Sequence, residues 1–203
     1  GGFLLYALDY IRTLASREYP DHENDPDQIR EHFLYWHDFA EHKLFGIEIN
    51  DELARVAKMN MIIHDDGHTN IVGHDALDFT GNIKAENRDI KPDSFDLILT
   101  NPPFGSVVKQ AEKGKDYLDQ YELRRYLSKN TDPDDESVKS ENDAKRGAKA
   151  VKQRASVKTE ILFLERVHTY LKPGTGKAAV VIPDGVLTNS SLQGVRNWLL
   201  ENF

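Results

Sequence analysis

The sequence predicts an α/β fold in which a mainly parallel sheet carries helices on both faces. Three observations predict it. Helix-like and strand-like segments alternate along most of the 203 residues, the order from which parallel sheets are built. Ser94–Thr100 is almost continuously apolar, as in a parallel strand covered on both faces. Three strand-like segments finish in a polar side chain, at Glu48, Asp75 and Asn101. Parallel sheets bind ligands beyond the carboxyl ends of their strands.

Phe3–Ser16 has apolar residues at helical spacing and reads as a helix. Glu18–His42 is polar and acidic, a loop through YPDHENDPDQ and then a short helix in IREHFLYWHDFAEH. Lys43–Ile49 is a short apolar strand. Asn50-Asp51 supplies a helix cap, and Glu52–His64 continues as an amphipathic helix. After a DDGHT turn, Asn70–Leu77 reads as a strand and Asn82–Pro92 as a loop. Ser106–Lys158 is charged throughout, almost without Val, Ile or Phe, and is expected to be a flexible insertion at 106–158. Its last part, Ala144–Lys158, is basic with no acidic residue. Thr159–Leu171 is then a helix stopped by KPGTG, Lys177–Pro183 a strand, DGVLTNSS a loop and LQGVRNWLLENF a helix. The length predicts one domain, residues 1–203. The abrupt start at Gly1 and the stop at Phe203 read as cuts through a larger protein.

Composition narrows the function classes. A net charge of -8 argues against a globally basic nucleic-acid surface. DNA contact would need a local basic segment or a basic partner. The absence of cysteine excludes disulfides and Cys-ligated zinc, and fits a cytoplasmic protein. No apolar run reaches membrane-spanning length and no signal peptide is visible, so no membrane partner is expected. His64 and His68 stand four apart but across a turn, with no obvious third ligand. No metal site is expected.

The strand ends carry the chemistry. Glu48, after a strand and before a helix, reads either as a carboxylate accepting from two ribose hydroxyls or as a solvated, helix-capping acid. Asp75 reads either as an acceptor for an adenine amino group, with Ala76 and Leu77 beside the ring, or as a turn aspartate. Gly1-Gly2 opens a helix, where backbone can approach an anion closely, or is a leftover of cloning. The most specific stretch is Asn101-Pro102-Pro103-Phe104, which ends the apolar strand. An exocyclic amine on a base is a poor nucleophile because its lone pair is delocalised into the ring. The Asn101 amide oxygen and the Pro102 carbonyl can each accept one of its N–H bonds, favouring a tetrahedral nitrogen and stabilising the charge that grows as it attacks. The prolines hold the backbone angles, and Phe104 offers a face for a base flipped out of a duplex.

These residues resemble a known family. LTNPPFG looks like the catalytic motif of amino-methyltransferases, Asn/Asp/Ser-Pro-Pro-aromatic, in the asparagine form of the N6-adenine DNA methyltransferases. GGFL resembles the tail of their glycine-rich loop, FGIEIN their ribose-binding strand end and GHDAL their adenine-contacting one. FLERVHTYLKPGTGKAAVVIPDGVL with GVRNWLLENF is similar to the modification (M) subunit of type I restriction–modification systems. The resemblance implies a Rossmann-like class I S-adenosylmethionine-dependent methyltransferase, a site-specific, adenine-specific DNA-methyltransferase with S-adenosylmethionine as methyl donor. DNA, a specificity (S) subunit and a restriction (R) subunit are the implied partners. Carried over, Gly1, Gly2 and Phe3 would lie by the cofactor, Glu48 and Ile49 at its ribose, and Asp75, Ala76 and Leu77 at its adenine. Asn101, Pro102, Pro103 and Phe104 would hold the target base. Lys145, Arg146, Lys149 and Lys152 read either as contacts to DNA phosphates or as a solvated loop. The Asp-Pro-x-x-Gly-Thr part of the glycine loop is absent, with the strand before it. The family fold places that strand between those ending at Glu48 and Asn101, so a truncated sheet with a gap is expected. Amino-methyltransferases acting on rRNA guanine or protein glutamine are the enzymatic rivals, and an inactive scaffold or DNA-binding fold-mate is the other.

Overall fold

The computed structural model describes residues 2–65, 70–114, 116–129 and 155–203. They form two compact units, Gly1–Ile90 and Lys91–Phe203, where the length alone predicts one domain.

The first unit begins with α1 (Gly2–Glu18) and α2 (Pro26–Lys43). The Asp25 side chain caps α2 by accepting from the Asp27 N–H, and Pro26 takes the first-turn position where no donor is needed. The short helix expected within Glu18–His42 is therefore a full-length one. Strand β1 (Gly46–Glu48) leads through the Asn50 cap into α3 (Asp51–Ile63). Asn50 Oδ1 accepts from the Glu52 and Leu53 amides at 3.0 Å each, the cap its sequence predicts. Strand β2 (Ile71–Gly73) pairs parallel with β1, Glu48 opposite Gly73. Gly73 is glycine for a reason of space: a Cβ there would meet Asp51 Oδ1 at 2.8 Å. The core joins Leu8 and Ala15 of α1, Trp36 and Ala40 of α2, and Ala54, Ala57 and Met61 of α3 with Ile71. Arg12 lies over the Trp36 ring at 4.2 Å and donates to the His64 carbonyl at 2.6 Å, tying α1 to the end of α3. The expected loop at Asn82–Pro92 is shortened by α4 (Thr80–Glu86), which Ile83 anchors in the core.

The second unit is built around α7 (Thr159–Tyr170), a helix buried on nearly every side. Strand β3 (Leu97–Thr100) pairs parallel with β6 (Lys177–Val180). Among the described residues, each parallel strand has a partner on one side only, β1 with β2 and β3 with β6. Among the described residues one face of β3 lacks the expected cover: Leu97 and Leu99 point to one side and are 57% and 40% exposed. The DGVLTNSS segment contains α8 (Asp184–Thr188) rather than a plain loop, and α9 (Gln193–Asn202) follows.

The segment expected to be a flexible insertion is folded at both its ends. Strand β4 (Val107–Lys109) pairs antiparallel with β5 (Ser156–Lys158), and α5 (Gln110–Lys113), a 3-10 turn at Leu118–Gln120 and α6 (Leu123–Lys129) follow β4. Tyr117, Leu118, Tyr121, Leu123 and Leu127 are buried. The scarcity of Val, Ile and Phe is misleading here, because Tyr and Leu supply the apolar surface. Residues 130–154 lie outside the described residues.

Candidate functional site

At the ends of β1 and β2 the two carboxylates come from adjacent strands. The His74 N–H donates to the Glu48 carbonyl at 3.0 Å, so the strand pair continues to the residue before Asp75. Glu48 Oε1 accepts from the Asn50 N–H at 3.0 Å, while Oε2 has no hydrogen bond among the described residues. That second oxygen is available for a hydroxyl donor. Asp75 Oδ1 accepts from the Leu77 N–H at 2.9 Å, and its carbonyl accepts from the Asp78 N–H. This is an aspartate turn that fixes the carboxylate direction. Leu77 is 3% exposed, so its side chain serves the core, whereas Ile49 is 64% exposed. Gly2 and Phe3 are exposed in the first turn of α1, and no heavy atom lies within 4 Å of a Cβ built on Gly2.

Three residues that the sequence reading passed over complete this turn. His74 Nε2 lies 2.9 Å from Asp78 Oδ2, and Asn82 donates to the same oxygen at 3.0 Å. Burial pushes the Asp78 carboxyl up, but hydrogen bonds from Asn82, the Phe79 amide and His74 outweigh it and hold the pKa below its ordinary value. The four-residue spacing of His74 and Asp78 was the available signal.

The Asn101 corner follows β3 in the second unit. The Thr100 carbonyl still accepts the Val181 N–H at 3.1 Å, so the parallel pair runs to the edge of the corner. Asn101 is exposed, and its amide makes no hydrogen bond among the described residues. Pro102 is buried and anchors the turn, with its carbonyl accepting no hydrogen bond among the described residues, and Pro103 is exposed. Phe104 is 48% exposed. Gly105 has φ +76°, a left-handed conformation that a glycine adopts without strain. Ser106 then returns the chain to α7, its carbonyl accepting from Thr159 N–H and Oγ1 at 2.9 and 3.0 Å.

A family model, N-6 DNA Methylase, matches residues 1–202. The chain belongs to the N-6 DNA methylase family. The chain is similar to the type II restriction enzyme and methyltransferase RM.BcgI of Heyndrickxia coagulans, with 29% identity over 107 residues, 53% of this chain and 14% of that protein. Its fold resembles a chain described as a modification subunit of a type I restriction enzyme from Vibrio vulnificus YJ016. The TM-score there is 0.50 and the identity 23%, covering 87% of this chain and 28% of that one. The chain thus spans a small part of the length of each. The Rossmann-like methyltransferase fold class expected from the motifs is the fold of this N-6 DNA methylase.

The structure brings Glu48 and Asp75 to neighbouring strand ends in the first unit and sets Asn101, Pro102, Pro103 and Phe104 at a strand end in the second. Gly1, His68, Lys145, Arg146, Lys149 and Lys152 lie outside the described residues. Among the described residues no group of three or more His, Asp or Glu side chains is arranged to hold a metal, and no helix is long and apolar enough to cross a membrane.

Proposed function

We propose that this chain catalyses transfer of a methyl group from S-adenosylmethionine to N6 of adenine in DNA, as part of the modification subunit of a type I restriction–modification system. One observation carries the reading: a parallel strand of an N-6 DNA methylase ends in an asparagine whose amide is exposed and unengaged, on a proline corner beside a half-exposed phenylalanine ring. Asn101 Oδ1 and the Pro102 carbonyl accept the two amino hydrogens of the flipped base, and Phe104 stacks on it. Among the described residues neither oxygen has an internal hydrogen bond to break first, so the acceptors are preorganised for charge developing on the nitrogen.

The donor set in the first unit fits the cofactor. Glu48 Oε2 is open to ribose hydroxyls, and the Asp75 turn aims a carboxylate suited to an exocyclic amine. S-adenosylmethionine supplies, when bound, a methyl group activated by its sulfonium. A chain of net charge -8 does not hold DNA by overall charge, which favours separate subunits for sequence recognition and cleavage. The cytoplasm, where host DNA lies, is the proposed location.

The test is to express the complete gene with its neighbouring specificity gene and sequence the host DNA for N6-methyladenine. The mark is expected in the wild type and lost in Asn101→Ala. Methylation surviving that substitution places the chemistry elsewhere.

A further inference from the structure

Helix α7 grips the chain twice behind the Asn101 corner. At its N-terminus, Thr159 donates twice to the Ser106 carbonyl, two residues beyond Phe104. Further along α7, Glu165 is 8% exposed. Its Oε1 accepts the Glu122 N–H at 2.6 Å and its Oε2 accepts the Leu123 N–H at 2.8 Å. The next residue, Arg166, donates to Gln120 Oε1 at 2.8 Å and to the Tyr121 hydroxyl at 2.7 Å. An acid that caps a helix is normally close in sequence and at the surface. This one is more than 40 residues away and buried, where an unpaired carboxylate is costly. The bonds close a ring: from Ser106 along β4 and α5 to the start of α6, across to Glu165, and back down α7 to Ser106.

We propose that Glu165 is a positioning residue for the target base. By fixing Glu122 and Leu123 to α7, beside the Gln120 and Tyr121 that Arg166 holds, it keeps the arm behind Phe104 in one place, so that the ring and the Asn101 amide present a single geometry to the substrate. Glu165 touches neither substrate nor cofactor; it acts through the backbone it grips. The inference rests on the corner's role in base binding proposed above.

The experiment compares wild type, Glu165→Gln and Asn101→Ala in the full-length protein with its specificity partner. Glutamine keeps the shape but turns an NH2 group toward one of the two amides. Hydrogen–deuterium exchange in Glu165→Gln is expected to quicken in residues 101–109 as well as 120–129, and to stay unchanged in 46–73. The kcat/KM for DNA is expected to fall about tenfold or more, as small misplacements of a reacting group do. S-adenosylmethionine affinity is expected to hold, and the fluorescence of 2-aminopurine at the target position to drop. Faster exchange confined to 120–129, with wild-type DNA kinetics, would reduce Glu165 to a cap of α6 and overturn the proposal. If Glu165→Gln does not fold, Glu165→Asp shortens the same side chain, loosens the same grip and is read in the same way. Methylation that survives Asn101→Ala removes the proposed function, while the exchange in 101–109 still decides whether Glu165 holds the corner.

Discussion

The turn after β2 and the corner after β3 both end a parallel strand, but they are held in opposite ways. Among the described residues the Asp75 turn is bonded locally: Leu77, Asp78, His74 and Asn82 make hydrogen bonds within the nine residues 74–82. The Asn101 corner leaves its amide unengaged among the described residues and is flanked by long-range bonds, Val181 to Thr100 before it and Thr159 to Ser106, 53 residues apart, after it. In the roles proposed for them, Asp75 as a cofactor carboxylate gains from a rigid local frame, and Asn101 as an acceptor has to meet its substrate with free lone pairs, so that the bonds steadying it are made by its neighbours.

The largest effect expected from this contrast is at Asn101. Asn101→Ala should reduce methyl transfer about 100-fold or more, the scale of losing an oxyanion-type group, while the melting temperature stays near wild type. A large loss of stability would mean that the amide is structural and would remove the contrast. Next is Glu165→Ala, which leaves the part-buried Glu122 amide and the buried Leu123 amide without their acceptor. It should cost about 2 kcal/mol or more of the second unit's stability, read by chemical denaturation of the full-length protein. A loss well under this would show that water replaces the carboxylate.

Gly105→Ala puts a Cβ on a left-handed residue, with no heavy atom within 4 Å of it. Backbone strain alone should therefore cost about 1 kcal/mol, and base flipping should suffer more than cofactor binding. Equal loss of both would contradict the division of roles. The smallest effect is acid sensitivity at the Asp75 turn. Asp78 has its pKa lowered in the fold, so its stabilisation is present above the ordinary carboxylate value and is lost as pH falls through the lowered one. Asp78→Asn should flatten that acid limb in thermal melts and weaken S-adenosylmethionine binding a few-fold at neutral pH, with kcat little changed. An unaltered acid limb would show that the turn is not held by this carboxylate.

Much of this contrast was legible in the chain. The Asn50 cap lies one residue before α3, and the apolar runs at Lys43–Ile49, Asn70–Leu77, Ser94–Thr100 and Lys177–Pro183 each contain the strand they predict. The NPPF motif carries its own steric and acceptor chemistry. Other features had no such trace. Residues 106–129 were read as mobile because their burial uses Tyr117, Leu118 and Tyr121, and Tyr121 meets Arg166 of α7, a helix that begins 30 residues after position 129. Glu165 and Arg166 look like an ordinary charged pair on a helix until Glu122 and Tyr121 are found beside them.

What the sequence determined by itself is the set of short-range commitments: helix caps, strand runs, the proline corner and the Asp75 turn. Each is settled by groups a few residues apart, whose encounter needs little loop closure. The tertiary structure alone decided that Leu97 and Leu99 of β3 stay exposed among the described residues, that the chain divides into two units, and that α7 holds the segment behind Phe104. Those outcomes depend on which distant surfaces meet, and burial and hydrogen-bond satisfaction between distant residues leave no periodic mark in the chain.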